Sequence, residues 1–411
     1  MLLNKSFDEI DYSIIQKLLE AKIVEKQNLE YKSQTWETND PGKREMLKDI
    51  SSMANAFGGY IIIGVKEENN GQPCGINWIK TEEAETKKDW MMACCISSIE
   101  PRIPGLKVDV INVDGCGSLI KIFVPRSLRR PHMVLKDDYR FYMRHDRQIS
   151  KMSIEEIREA CLRTEHLQKN IQVFINERKQ EIYKLVGSDT IFIMGSVPLN
   201  YADSIIDIND NNIRNFLKNP PIQTKSSFNF NFVGGEYGTH VWPKPTLMGL
   251  HIGSREDIKI ELMRNGYYEA FIRLDNLTKP VTDYHRSNHN VLYSLPVIGY
   301  CISFFQSLQA LKTLLGLEDT IIGFLSIYNI SNYGFVEYLP ENSWGTRYYE
   351  PEYYERPHLE IEPIEIHDLN DPCKIAKIFL DRIWNTFGFE ADKVPYFING
   401  IFDWKKYVSR G

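Results

Sequence analysis

The chain has 411 residues, 43% hydrophobic and 25% charged, with a formal net charge of -6. That balance excludes a disordered or fibrous protein and a wholesale basic nucleic-acid coat, and the length accommodates two domains. The seven cysteines are odd in number and show no CxxC spacing, which argues against a zinc ribbon and a disulfide framework and fits a reducing, cytoplasmic setting.

In chain order, Ser6-Phe-Asp-Glu9 has capping-box spacing, and Ile10, Ile14, Leu18 and Leu19 recur at helical spacing. They predict a helix to about Ala21; no signal peptide is expected before it. A short extended stretch around Glu30 follows, then a polar loop at Asn39-Asp40-Pro41-Gly42. Lys43 to Phe57 reads as a second helix, with Met46, Ile50, Met53, Ala54 and Phe57 on one face, closed by Gly58-Gly59. Residues 60–65 are a continuous β-branched run, hence a buried strand, and Asn69-Asn70-Gly71 marks a turn. A helix near 81–98 and strands near 106–113, 119–124 and 139–144 follow. Ser153-Ile-Glu-Glu156 is a second capping box and starts a helix past Cys161. The order predicts an α+β module over residues 1–168.

Residues 169–411 read as a second α+β domain without a catalytic motif. Strands are expected at 191–199, 228–234, 247–253 and 267–274, and helices at 296–316 and 374–386. Asn290 to Leu311 is uncharged over 22 residues, which is span length, but its polar residues and Pro296 favour a buried core helix starting near Ser294 over a membrane span. Trp344 to Pro357 mixes aromatics, charges and prolines, the make-up of a partner-binding or structural surface loop.

The chemistry is concentrated in Glu25-Lys-Gln-Asn-Leu-Glu30-Tyr-Lys32. Residues two apart on a strand share a face, so Glu30 and Lys32 project together while Tyr31 enters the core. A carboxylate beside a lysine suits a metal-dependent nuclease: the acid holds a hard cation and the ammonium stabilises phosphate charge. Glu25 needs a kink to reach the same place. Glu67, with Glu68 beside it as an alternative, follows a buried strand and is the third candidate acid; Mg2+ or Mn2+ suits such oxygen ligands. The same spacing also occurs on ordinary solvated strands. Residues 121–147 carry eight Lys and Arg against three Asp. Arg129, Arg130, Arg140, Arg144 and Arg147, with Tyr142 to stack on a base and Lys48 extending the patch, are the candidate nucleic-acid contacts. A solvated basic face is the plainer alternative. His132, His145 and the Cys94-Cys95 pair read as structural, and P-loop, Rossmann and zincin motifs are absent.

Glu25-x4-Glu30-Tyr31-Lys32 resembles the E-S-x-x-L/V-E-F-K signature of the Schlafen AlbA domain family. Residues 54–65, Ala-Asn-Ala-Phe-Gly-Gly-Tyr-Ile-Ile-Ile-Gly-Val, resemble its A-F-A-N-x-x-G-G segment. Pro125, Arg130-Pro131-His132 and Tyr142-Met-Arg144 are similar to the tail of bacterial members. The resemblance covers about residues 6–165. It implies a mixed sheet with flanking helices and a nuclease site of Glu25, Glu30 and Glu67, the last standing where nuclease members usually have Asp. It further implies tRNA or another structured RNA, favoured over DNA, as substrate, a homo-oligomer or the second domain as the other wall of the RNA clamp, and an antiviral setting. Residues 169–411 would sense a protein or small-molecule activator. The alternative is a non-catalytic nucleic-acid-binding transcriptional regulator.

Overall fold

The structure is a computed structural model and describes residues 7–68, 70–136, 139–199, 205–222, 228–230, 242–253, 258–274, 278–282, 288–317, 320–336, 353–390 and 394–408. The chain is α+β in both of its compact units. One comprises Met1–Gln172 with Leu315–Thr320, the other Val173–Leu314 with Ile321–Gly411.

In the first unit, α1 (Tyr12–Glu20) leads into β1 (Leu29–Lys32), α2 (Asp40–Asn55), β2 (Gly59–Ile63), β3 (Val65–Glu67) and β4 (Pro73–Ile76). Then come α3 (Thr81–Ser98), β5 (Ile99–Glu100), β6 (Lys107–Val113), β7 (Gly117–Val124), β8 (Met133–Val134), β9 (Arg140–His145), β10 (Gln148–Lys151) and α4 (Ile154–Val186). The boundary at Gln172 falls inside α4, as does the expected one at 168. The central sheet has the order β1-β2-β7-β6, with β1 parallel to β2 and the other pairs antiparallel. A second sheet runs β10-β9-β8-β5, and β3 pairs with β4.

Period-two alternation explains why the central sheet is covered on both faces. Ile61, Ile63, Ile120 and Ile122 pack with Met46, Ile50 and Met53 of α2 and with Met91, Cys94 and Cys95 of α3. Tyr60, Ile62, Leu119 and Phe123 turn the other way, toward Ile14, Ile15 and Leu18 of α1. The unbroken apolar run at 60–63 is therefore a strand buried on both sides.

Two expectations about helix starts change. Ser6 lies outside the described residues, and α1 is capped instead by Asp11, whose carboxylate accepts from the Ile14 N–H at 3.2 Å. Asn39-Asp40-Pro41-Gly42 is no loop but the first turn of α2: Asn39 accepts from the Gly42 N–H at 2.9 Å, and Pro41 sits where no donor is needed. The second capping box forms as expected, with Ser153 N–H to Glu156 at 2.7 Å and Glu156 N–H to Ser153 Oγ at 3.2 Å.

The Ala-Asn-Ala-Phe-Gly-Gly segment owes its composition to backbone crowding. Gly58 (φ 68°) donates to the Met53 carbonyl at 2.9 Å and ends α2. A Cβ on Gly59 would lie 2.2 Å from the Asn28 carbonyl oxygen, so only glycine lets β2 meet the turn before β1. Asn55, 2% exposed, clamps two later segments: its amide donates to the His132 and Tyr142 carbonyls at 2.9 and 2.8 Å and accepts from the His132 N–H at 2.6 Å.

The second unit holds β11 (Ile191–Pro198), α5 (Asn211–Lys218), β12 (Lys244–Pro245), β13 (Gly249–Gly253), β14 (Ile258–Met263) and β15 (Tyr268–Arg273). After β16 (Thr278–Thr282) and β17 (Asn288–Tyr293) come α6 (Ser294–Leu315), β18 (Ile321–Tyr328), β19 (Tyr333–Val336), β20 (His358–Ile366) and α7 (Pro372–Thr386). The main sheet has the order β12-β13-β14-β15-β11-β18-β20. α6 is long and apolar enough to cross a membrane, yet its apolar window is 89% buried within the protein, as expected of a core helix. Phe228 to Phe230 form no strand, and residues 231–234 and 344–352 of the expected strand and aromatic loop lie outside the described residues.

Replacing Asn55 with alanine removes the side-chain partner of three backbone groups, two of them on buried His132. Denaturant unfolding is expected to show a loss of about 3 kcal/mol; a loss below ~0.5 kcal/mol would contradict the clamp.

Candidate active site at the edge of the central sheet

The kink that Glu25 requires is a tight turn. Lys26 and Leu29 exchange backbone hydrogen bonds at 3.1 Å each, folding Glu25 back so that its carboxylate accepts from the Tyr31 N–H at 2.8 Å. Tyr31 enters the core at 2% exposure, and Glu30 and Lys32 project together, Nζ to Oε1 at 3.0 Å. Glu30 is nonetheless only 8% exposed, so the strand face it shares with Lys32 is mostly covered.

Covering it is a cluster of opposite charges. Lys32 Nζ lies 2.9 Å from Asp49 of α2, and Asp49 accepts from Trp36 Nε1 at 3.2 Å. Glu30 is bonded on its other oxygen by the Arg144 guanidinium. Arg147 reaches Glu25 at 3.3 Å. Glu67, at the end of β3, shares a side-chain hydrogen bond with Glu25 and feels Arg147 and Glu30. The turn that follows packs back on this edge, the Glu25 N–H donating to the Gly71 carbonyl at 3.0 Å, and Glu67 is the acid whose carboxyl meets Glu25.

Electrostatics follow from this crowding. Burial pushes the Asp49 carboxyl up to about 6 against the pull of Lys32. Burial and then the Glu25 charge raise Glu67 above the usual carboxylate range. Burial works to depress Lys32, but Asp49 and Glu30 outweigh it and hold the ammonium charged above its ordinary range. Glu25, Glu30, Asp49 and Glu67 are met by Lys32, Arg144 and Arg147. Lys32 and Glu67 also line an open cleft of about 910 Å³ with Trp36, Glu45, Lys66 and Asn77.

The three glutamates do not stand as a cation cage. Among the described residues no group of three His, Cys, Asp or Glu side chains is placed to hold a metal ion. All four oxygens of Glu25 and Glu30 are taken by protein donors: Tyr31 N–H and Arg147 on one, Lys32 and Arg144 on the other.

The expected basic face is also rearranged. Arg144 is 2% exposed and serves Glu30, and Tyr142 packs against the core instead of offering a stacking surface. Lys121 is buried at 3% exposure and donates to the Phe7 carbonyl at 2.8 Å. Lys136 pairs with Asp40, and Lys48 is half-buried and lines neither this cleft nor the arginine-lined cavity of the same unit. Arg129 is exposed, Arg140 and Arg130 half-buried. His132 is structural: fully buried, bonded through Nδ1 to the Pro101 carbonyl at 2.6 Å, and depressed by burial to about 4. Sequence reasoning missed Asp49. Its signal was an acid among Met46, Ile50 and Met53 on the buried face of α2.

A carboxyl whose folded pKa exceeds its unfolded value takes up protons on folding. Asp49 therefore stabilises most below pH ~4, and that contribution is lost as pH rises through about 6. In melts from pH 4 to 7.5, Asp49→Asn is expected to gain about 1–3 kcal/mol relative to the parent as pH rises; a pH-independent difference would contradict the burial of its charge.

Of the comparisons with known proteins, one identifies the domain. Residues 25–153 match the family model described as Schlafen, AlbA_2. No curated protein matches the chain. A crystal structure of the DIP2311 protein from Corynebacterium diphtheriae is similar at 15% identity, covering 36% of this chain and 27% of that one with a TM-score of 0.25. The match thus spans about a quarter of that protein, and a likeness at this level carries no inference. The family match points the first unit toward nucleic-acid binding or a nuclease-like function. Residues 25–153, which carry the acid–lysine edge, the glycine pair and the arginines of β9, are a Schlafen AlbA_2-type domain.

Proposed function

We propose that the first unit cleaves the phosphodiester backbone of RNA, tRNA above all, at the edge formed by Glu25, Glu30, Lys32 and Glu67. The observation that carries this reading is the Lys32 ammonium, fixed between Glu30 and Asp49 on the wall of a cleft that Glu67 shares. Phosphoryl chemistry needs a preorganised positive charge where negative charge develops, and Lys32 supplies one that needs no reorganisation. A carboxyl raised above its usual range can hand a proton to a leaving oxygen, and Glu67 is such a group in the same cleft.

Mg2+ or Mn2+ is part of the proposal on donor chemistry. Glu25, Glu30 and Glu67 are the residues that would hold the ion, and it would supply Lewis-acid charge to the phosphate. As placed, they do not present a site for it. The preference for RNA, self-association, a sensing role for the second unit and an antiviral setting rest on the family resemblance alone.

Purified protein incubated with total tRNA and Mg2+ or Mn2+ is expected to fragment it. EDTA should stop the reaction, and Lys32→Met and Glu30→Gln, checked for folding by melting, should each slow it by ~100-fold or more. If the RNA stays intact throughout while the same protein retards RNA or duplex DNA in a gel, the domain binds without cutting and the cleavage reading fails.

A further inference from the structure

A second cavity of the first unit, about 550 Å³, is walled by four arginines, Arg126, Arg130, Arg144 and Arg163. Two of them are occupied: Arg144 by Glu30, and Arg163 by Glu159 one turn away on α4. Glu156, the other acid on the wall, is committed to the Ser153 N–H at 2.7 Å and faces His145 Nε2 at 3.3 Å. Arg126 and Arg130 have no carboxylate partner among the described residues. Arg130 donates to the Ala56 carbonyl at 3.0 Å, while Arg126 Nε is buried without any hydrogen-bond partner.

Half-buried like charges repel unless an anion joins them. Burial, then the charges of Arg126 and Arg163, depress the Arg130 guanidinium to about 10. Planar guanidiniums approaching from two elements, the segment after β7 and the side of α4, suit the several oxygens of a dianionic phosphate. The cavity also carries Phe57, 59% exposed, an aromatic face with no core to bury it.

We propose that this cavity binds the phosphomonoester of a nucleotide, with Arg126 and Arg130 holding the phosphate, Arg163 closing on it from the rim, and Phe57 stacking on the base. The nucleotide is either free or the phosphorylated end of a strand, since both present the same group. The residues proposed to hold the phosphate and the base are not those of the cleavage edge, although Arg144 of the wall pairs with Glu30.

Calorimetric titration of the full chain tests this with AMP, adenosine, inorganic phosphate, and one oligoribonucleotide carrying a 5′-phosphate or a 5′-hydroxyl. AMP is expected to bind, phosphate to compete and adenosine to fail. Arg126→Gln and Arg163→Gln should each weaken AMP by ~10-fold or more, and Phe57→Ala should weaken AMP but not phosphate. Arg163 is exposed, so its variant keeps the test valid if Arg126→Gln does not fold. Tighter binding of the 5′-phosphorylated strand than of AMP identifies a strand end as the ligand, and the reverse identifies a free nucleotide. Equal binding of AMP and adenosine, no binding of either phosphorylated ligand, or AMP affinity unchanged in Arg163→Gln overturns the proposal. Because RNA fragments score the cleavage reading separately, failure here leaves that reading standing.

Discussion

Glu30 sits on a strand face that the rest of the domain covers, and a covered carboxylate is tolerated only if positive charge comes with it. Lys32 brings that charge from the same strand and Arg144 from β9, 114 residues later in the chain. Lys32 in turn needs Asp49, which ties β1 to α2. One buried carboxylate thereby fixes the mutual placement of the central sheet, the long helix across it and the second sheet. Glu25 and Glu67 gather at its edge through Arg147. The groups suited to phosphate chemistry are thus the same groups that hold the strands together, which links any catalytic role to local stability.

Much of the fold was legible because its elements carry local signals. The β-branched run at 60–63, the Ser153–Glu156 capping box and the Gly58-Gly59 stop each depend on neighbours in sequence. The first turn of α2 was misread because Pro41 and Gly42 are loop residues by composition; at the start of a helix capped by Asn39 their drawbacks vanish. Glu30, Lys32 and Tyr31 were legible from strand alternation. What sequence could not show is which charges the acids would meet. Arg144 and Arg147 counted there as free basic surface, yet long-range packing spends them on Glu30 and Glu25. The residual positive character moved to Arg126 and Arg130, which no local pattern distinguishes from their neighbours.

The second unit repeats the same physics. Glu269, 2% exposed on β15, is held by Arg178 of α4 at 3.0 Å and by the Tyr267 hydroxyl, and Arg178 also reaches Glu261 at 3.1 Å. Burial raises the Glu269 carboxyl despite these partners. A satisfied acid of this kind stabilises a unique packing; the first unit differs in that one of its clustered acids, Glu67, lines an open cleft.

The central claim is that Glu30 and Arg144 depend on each other. A double-mutant cycle on folding stability, built from Glu30→Gln, Arg144→Met and the pair, measures that dependence directly. A coupling energy of about 2 kcal/mol or more is expected for a buried, hydrogen-bonded charge pair. A coupling below ~0.5 kcal/mol would show that the two residues act separately, and would remove the constraint from which the rest of the site has been built.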